Sequence, residues 1–182
     1  GTPGIVSAML PAVGPGNYEL MSAYPNIAAS LVLVPDRPSG SVTLDRWNRP
    51  AITYHHAAAD KERLRDGIRA AARMYLAAGA REVMVPVQPP LVIRSEADLA
   101  AVDDVRFDPA TAPLISAHQQ GSARMAPSAA DGAIDPDGQV YGTDGIYVFD
   151  SSGFPTSSSS HTMTPIITAG RYPSAKLASR LA

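Results

Sequence analysis

The chain has 182 residues, with 15 Lys plus Arg against 17 Asp plus Glu and a formal net charge of -2; that is enough for one domain with a core and too little for several large ones. The near-cancelling charge, with no long basic run, excludes the electrostatic footprint of a nucleic-acid or anionic-membrane binder, and no stretch reaches the roughly 20 apolar residues of a membrane span. The absence of cysteine excludes a disulfide scaffold, a thiolate zinc site, an iron-sulfur cluster and a cysteine nucleophile.

The 17 prolines and 14 glycines predict few long helices or central strands and an irregular, loop-rich fold. The opening Gly1-Thr2-Pro3-Gly4 has neither a methionine nor a signal core and reads as cut from something longer. Over residues 1–40, the apolar runs Ile5–Leu10 and Ile27–Val34, punctuated by Pro and Gly, predict extended segments and loops. Ser41–Leu44 and Ala51–Tyr54, around the polar stretch 45–50, predict a β-hairpin. From Asp60 the period changes: Leu64, Ile68, Ala71, Tyr75 and Leu76 share one helical face and Gly79 follows as a stop. Glu82–Val87 reads as a strand and the residues between 86 and 94 as loop. Ser95–Val105 reads as a short helix, with Ser95 and Asp98 spaced as a capping box. From residue 107 the chain is polar and rich in Gly and Ser, the setting in which functional residues concentrate. Ser157–Ser160 is short enough to be one turn, and Thr164-Pro165 starts a last helix.

Histidine is the side chain whose unperturbed pKa, about 6.5, suits proton transfer near neutrality, and four occur, at 55, 56, 118 and 161. His55 and His56, with Asp60 nearby, read as the polar start of a helix and not as a metal site, because adjacent strand residues point to opposite faces. His118, in Ser116-Ala117-His118-Gln119-Gln120-Gly121, and His161, in Ser159-Ser160-His161-Thr162-Met163-Thr164-Pro165, lie in small, polar, irregular sequence. Each is either a catalytic candidate or a loop-stabilising histidine, and spacing alone does not say whether they meet. The serine-hydrolase elbow, the His-Glu-x-x-His zinc helix and the Gly-x-x-x-x-Gly-Lys phosphate loop do not occur. Asp135-Pro136-Asp137-Gly138 opens like a calcium loop, but Ile146 stands where a bidentate glutamate would close it, so a Pro-Asp-Gly turn is the expectation. The dinucleotide fingerprint Gly-x-Gly-x-x-Gly is missing.

Four ordered blocks carry a family resemblance: His118-Gln-Gln-Gly-Ser-Ala-Arg-Met125, Ile134-Asp-Pro-Asp-Gly-Gln-Val-Tyr-Gly142, Gly145-Ile-Tyr-Val-Phe-Asp150-Ser151 with Phe154-Pro155-Thr156, and His161-Thr-Met-Thr-Pro165. Together they resemble the C-terminal end of the glucose-methanol-choline (GMC) oxidoreductase family, and Arg49-Pro50 with Ala77-Ala78-Gly79-Ala80 looks like that family's substrate domain. The resemblance implies an α+β fold. Residues 1–117 would form part of the substrate-binding domain, an antiparallel sheet with helices. Residues 118–182 would form the active-site segment with the closing strand and helix of the FAD-binding domain.

The implied activity is that of an FAD-dependent alcohol oxidase or dehydrogenase acting on CH-OH donors. His118 and His161 would flank the substrate hydroxyl over the flavin, with His118 as base and His161 orienting the oxygen. Asp150, Ser151, Thr162 and Met163 would approach the cofactor. Because the glycine fingerprint is missing, the resemblance also implies a partner, either the N-terminal fragment of a nicked precursor or a separate large subunit carrying Gly-x-Gly-x-x-Gly. A hydroxynitrile lyase of the same fold and a non-catalytic complementing subunit are the alternatives. The wording Ser116-Ala117-His118-Gln119 looks closer to oxidases of long-chain and bulky alcohols than to sugar oxidases. Two departures stand out: Ala126 occupies the place of a usual glycine, and Pro173 should kink or restart the terminal helix.

Overall fold

The computed structural model describes residues 3–37, 39–108, 111, 112, 114–116, 118–158 and 161–181. Gly1 and Thr2 of the opening, Ala117 before His118, and Ser159 and Ser160 of the serine run lie outside them. The chain is α+β and divides into two compact units, one of Gly1–Leu33 with Lys61–Ile115, the other of Val34–Asp60 with Ser116–Ala182.

The first unit opens with two helices where extended chain was expected: α1 (Pro3–Met9) and α2 (Pro15–Ser22). The reason is local. Pro3 and Pro15 sit at the first helical positions, where a missing N–H costs nothing and the fixed φ is already helical; both prolines start helices instead of breaking them. Asn17 holds the corner, its amide donating to the carbonyls of Ser7 (2.9 Å) and Ala12 (3.2 Å) and its Oδ1 accepting from the Ser7 hydroxyl (2.8 Å). Residues 27–33 carry neither helix nor strand.

The long helix α3 (Ala58–Ala77) follows the predicted period and stops as expected before Gly79, whose φ of 91° suits a residue without Cβ. Its fully buried apolar residue is Ala72 and not Ala71, so the inward row is Leu64, Ile68, Ala72 and Leu76 at four-residue steps. At 20 residues, α3 is one of two long helices among the described residues, and no proline falls within it.

The row meets a hairpin of β3 (Val83–Val85) and β4 (Leu91–Ile93), antiparallel with Val83 opposite Ile93 and Val85 opposite Leu91. β4 falls in the stretch read as loop: Pro86, Pro89 and Pro90 all lie in the connection and remove no donor from the paired residues. Ala72, Val85, Ile93, Leu99 and Val102 form the core, and Val105, Phe107 and Ala112 form a second cluster. The expected helix after Ser95 is a 3-10 helix (Glu96–Asp104). The physical reason is a strict period of three, because Leu99, Val102 and Val105 are all buried and a 3-10 helix aligns every third side chain. A row of arginines on α3 ties this helix down: Arg65 donates to the Val105 carbonyl (3.0 Å), Arg69 pairs with Asp103, and Arg73 grips Glu96 with Nε (2.9 Å) and Nη2 (2.6 Å).

The capping-box carboxylate of Asp98 accepts from the N–H groups of Arg94 and Ser95 (both 2.8 Å) and from the Ser95 hydroxyl (3.0 Å). The Arg94 N–H contributes most to holding its pKa below the ordinary carboxylate value, followed by the Ser95 hydroxyl, while desolvation works against them. A folded value below the unfolded one of about 3.9 means this group stabilises the fold above about pH 4 and loses its effect as pH falls through the folded value. Asp98→Asn is expected to flatten the acid limb of stability, measured as urea midpoints between about pH 6 and about pH 3. Identical acid limbs in parent and variant would assign that loss to other carboxylates.

The second unit carries the predicted hairpin, β1 (Ser41–Leu44) with β2 (Pro50–Thr53), Leu44 opposite Pro50. Its turn is fixed by Asp45, whose carboxylate accepts from the N–H groups of Trp47 (2.8 Å) and Arg49 (3.0 Å) and from Arg49 Nε (2.9 Å). From residue 118 the unit has almost no regular structure until the last helix α4 (Met163–Leu181). α4 runs past Pro173 without restarting, although that residue leaves the Ala169 carbonyl without its helical donor. Among the described residues, no helix is long and apolar enough to cross a membrane.

Candidate active site

The irregular stretch 118–158 is stitched by backbone bonds around the fully buried side chain of Ile134, which is 0% exposed and bridges both Met125 and Val140. The Asp135–Gly138 segment is the expected turn. Asp135 Oδ1 accepts from the N–H groups of Asp137 (2.8 Å) and Gln139 (2.9 Å), and Gly138 takes φ 86°. A Cβ at Gly138 would lie 2.5 Å from the Phe149 ring, so glycine is required there both for its φ and for its lack of a side chain. Asp137 reaches the last turns of α4, pairing with Lys176 and with Arg180 (2.9 Å), and these two cations, Lys176 first, lower its pKa. Ala126, in place of the usual glycine, is accommodated by Gly132: a Cβ on residue 132 would approach the Ala126 Cβ to 2.7 Å.

Three parallel backbone bonds then carry the His118 segment along the turn after Asp150. The N–H groups of Gly121, Ala123 and Met125 donate to the carbonyls of Ser151 (3.1 Å), Ser152 (3.1 Å) and Gly153 (2.9 Å). Ser151 Oγ adds a bond to the Gln119 carbonyl at 3.0 Å, and the Gln120 side chain accepts from the Ser158 N–H at 3.0 Å. Asp150 caps the short 3-10 turn Ser151–Gly153 by accepting the Ser152 N–H at 2.7 Å, and bonding to Ser152 holds its carboxyl below the ordinary range.

At the end of this frame, His118 and His161 meet. Their Nε2 atoms are 3.3 Å apart and their rings, with centroids 4.7 Å apart, stand at 77°. Both side chains are exposed, so the two nitrogens form an open pair that a small polar molecule can reach. Thr162, next along the chain, is 3% exposed, and its Oγ1 is buried without a hydrogen-bond partner among the described residues. Met163 follows as the first residue of α4, where the helix leaves N–H groups without internal acceptors.

Asp150 and Ser151 thus hold the His118 segment, and Thr162 and Met163 stand beside His161 at a helix start. His55 and His56 do not join this group through any hydrogen bond or ring contact among the described residues: the His55 carbonyl accepts from the Ser39 hydroxyl, and the His56 ring packs edge-on against Tyr54 at 5.1 Å. The bond pattern linking Gln119–Met125 to Ser151–Gly153 was not foreseen from the sequence. The period-free, small residues of both segments were the only hint that backbone, and not side chains, would hold them.

Residues 36–170 match the GMC oxidoreductase family. Relatives include a long-chain-alcohol oxidase of Arabidopsis thaliana, 31% identical over 92% of this chain and 24% of its own length. A pyranose dehydrogenase of Leucoagaricus meleagris is 34% identical over 76% of this chain and 23% of its own. An uncharacterized GMC-type oxidoreductase of Mycobacterium tuberculosis is 30% identical over 85% of this chain and 24% of its own. The chain therefore spans about a quarter of the length of the curated relatives it matches. With most of its residues inside the family match, the chain belongs to the GMC oxidoreductase family and corresponds to that family's C-terminal portion.

Proposed function

We propose that this chain supplies the active-site segment of an FAD-dependent alcohol oxidoreductase, with residues 118–182 providing the catalytic pair and the closing strand and helix of the FAD-binding domain. The observation that carries the proposal is the 3.3 Å approach of the His118 and His161 Nε2 atoms, from segments 43 residues apart, at an exposed position. Two imidazoles so placed can divide the work on one hydroxyl: His118 Nε2 takes its proton, while His161 Nε2–H holds the oxygen as charge builds on it. The long-chain-alcohol oxidase and pyranose dehydrogenase relatives favour a CH-OH donor as substrate.

The residues present fit the cofactor. Thr162 Oγ1 is a buried hydroxyl left without a partner among the described residues, and the first turn of α4 offers N–H groups and a partial positive charge. A ring with carbonyls that becomes anionic on reduction complements that donor set. Thr162 and Met163 would hold the flavin edge, and the turn at Asp150 and Ser151 would face it. When bound, FAD supplies the acceptor for the hydride that leaves the alcohol carbon. His118 and His161 handle the proton and the oxygen; the Asp150 cap and the Ser151–Gly153 carbonyls keep His118 in reach of its partner.

The glycine fingerprint for the ADP half of FAD is missing from these residues. The proposal therefore includes a segment or subunit carrying Gly-x-Gly-x-x-Gly. The test is an absorption spectrum of the protein from its native source, with intact masses of every copurifying chain. A flavin band at about 450 nm that bleaches with an alcohol is the expected result. A flavin band that no alcohol bleaches would favour the lyase alternative, and a colourless preparation would favour a non-catalytic subunit.

A further inference from the structure

The histidine pair is spaced like two corners of a metal site. Two nitrogens bound at about 2.0–2.1 Å to one tetrahedral zinc ion lie about 3.3–3.4 Å from each other, and the His118 and His161 Nε2 atoms are 3.3 Å apart. The same separation lies just beyond the usual range of about 2.7–3.2 Å for an N–H hydrogen bond. In the tautomer that carries the proton on Nδ1 of both rings, each Nε2 offers a lone pair, and one cation within reach of both accepts them. Both rings are exposed, so the ion has a path in.

We propose that His118 and His161 form a reversible two-imidazole site for Zn2+, and that zinc seated there blocks the catalytic pair. No group of three or more His, Cys, Asp or Glu side chains converges among the described residues, so water fills the remaining positions. Such a site exchanges its metal, unlike a closed structural site with four protein ligands. Zinc binds through the nitrogen lone pairs, which removes from His118 the pair of electrons that accepts the hydroxyl proton and from His161 the N–H that holds the oxygen. Inhibition then competes with alcohol for the same two atoms. Imidazole nitrogen also selects for zinc, copper and nickel over magnesium, which prefers oxygen.

The inference rests on the oxidoreductase reading only for its inhibitory half. The test is calorimetric titration of the assembled protein with Zn2+, with Mg2+ in parallel, for the parent and for His118→Gln, His161→Gln and His55→Ala. One zinc per chain should bind in the parent and in His55→Ala, and be lost in both glutamine variants, with no response to Mg2+. Binding that survives in either glutamine variant, or is absent from the parent, overturns the site. In a separate assay, zinc should slow alcohol-driven flavin bleaching, raising KM more than it lowers kcat, and EDTA should restore the rate. Bleaching that zinc leaves unchanged overturns the inhibitory half. Flavin that alcohol never bleaches, even with EDTA, is a failure of the oxidoreductase reading, and the calorimetry still reads the metal site.

Discussion

Replacing His118 by alanine in the assembled protein is expected, on the proposed reading, to slow alcohol-driven turnover by about 10²- to 10⁴-fold, the range a positioned general base contributes. The hydroxyl proton must leave as the C–H bond breaks, and a base helps only within hydrogen-bond reach. On the proposed reading that base is His118 Nε2, 3.3 Å from its partner and carried on the segment bonded to Ser151–Gly153. Because the base acts on the reacting atoms and not on the bulk of the substrate, the fall should sit in kcat with little change in KM. His161→Ala should also fall. With the two imidazoles serving one hydroxyl, as proposed, the double variant should be barely slower than the slower single one. Steady-state kinetics with flavin content measured on the same samples separates lost chemistry from lost cofactor. Unchanged turnover in His118→Ala with full flavin content would reduce the pair to loop-stabilising residues.

Local signals made much of the fold legible, and their reach explains where legibility ended. The β1–β2 hairpin, the Gly79 stop, the Ser95/Asp98 capping box and the Asp135–Gly138 turn each depend on a few neighbouring residues, so the sequence contained the whole cause. Pro3 and Pro15 misled because a proline's effect depends on its place in a helix, and only the helix start shows that it is tolerated. β4 was hidden because its partner β3, and not its own flanks, makes it a strand. The 3-10 geometry after Ser95 was latent in the three-residue spacing of Leu99, Val102 and Val105, which also fits a loose α-helical face. The meeting of His118 and His161 was beyond local signals. The frame that leads to it is held by carbonyls of Ser151, Ser152 and Gly153 accepting from backbone N–H groups about 30 residues earlier, and backbone donors carry no mark in the sequence.

Ile134→Ala is expected to destabilise the protein by about 2–5 kcal/mol, and Ile134→Val by about 0.5–1.5 kcal/mol. Ile134 is 0% exposed and sits where the Met125 and Val140 bridges cross. A Cβ built on Gly153 would lie 3.0 Å from its Cδ1, so the side chain fills the space directly beneath the turn whose Gly153 carbonyl accepts the Met125 N–H. Truncation therefore leaves a void under the same bonds that carry the His118 segment, and irregular chain pinned by single backbone bonds has little else to collapse around. The contrast with His118 is the informative part. His118 is exposed and its ring packs against that of His161, so His118→Ala should leave the urea midpoint near that of the parent while abolishing most turnover. Ile134→Ala should lower the midpoint strongly, yet keep kcat within about tenfold of the parent at temperatures where it remains folded, because Ile134 is not among the residues proposed to touch substrate or flavin. Urea melts and kcat measured on both variants check this directly. A large kcat loss in fully folded Ile134→Ala would show that the pair depends on sub-ångström support from the core, and an unchanged midpoint would remove Ile134 from its place as the anchor of the unit.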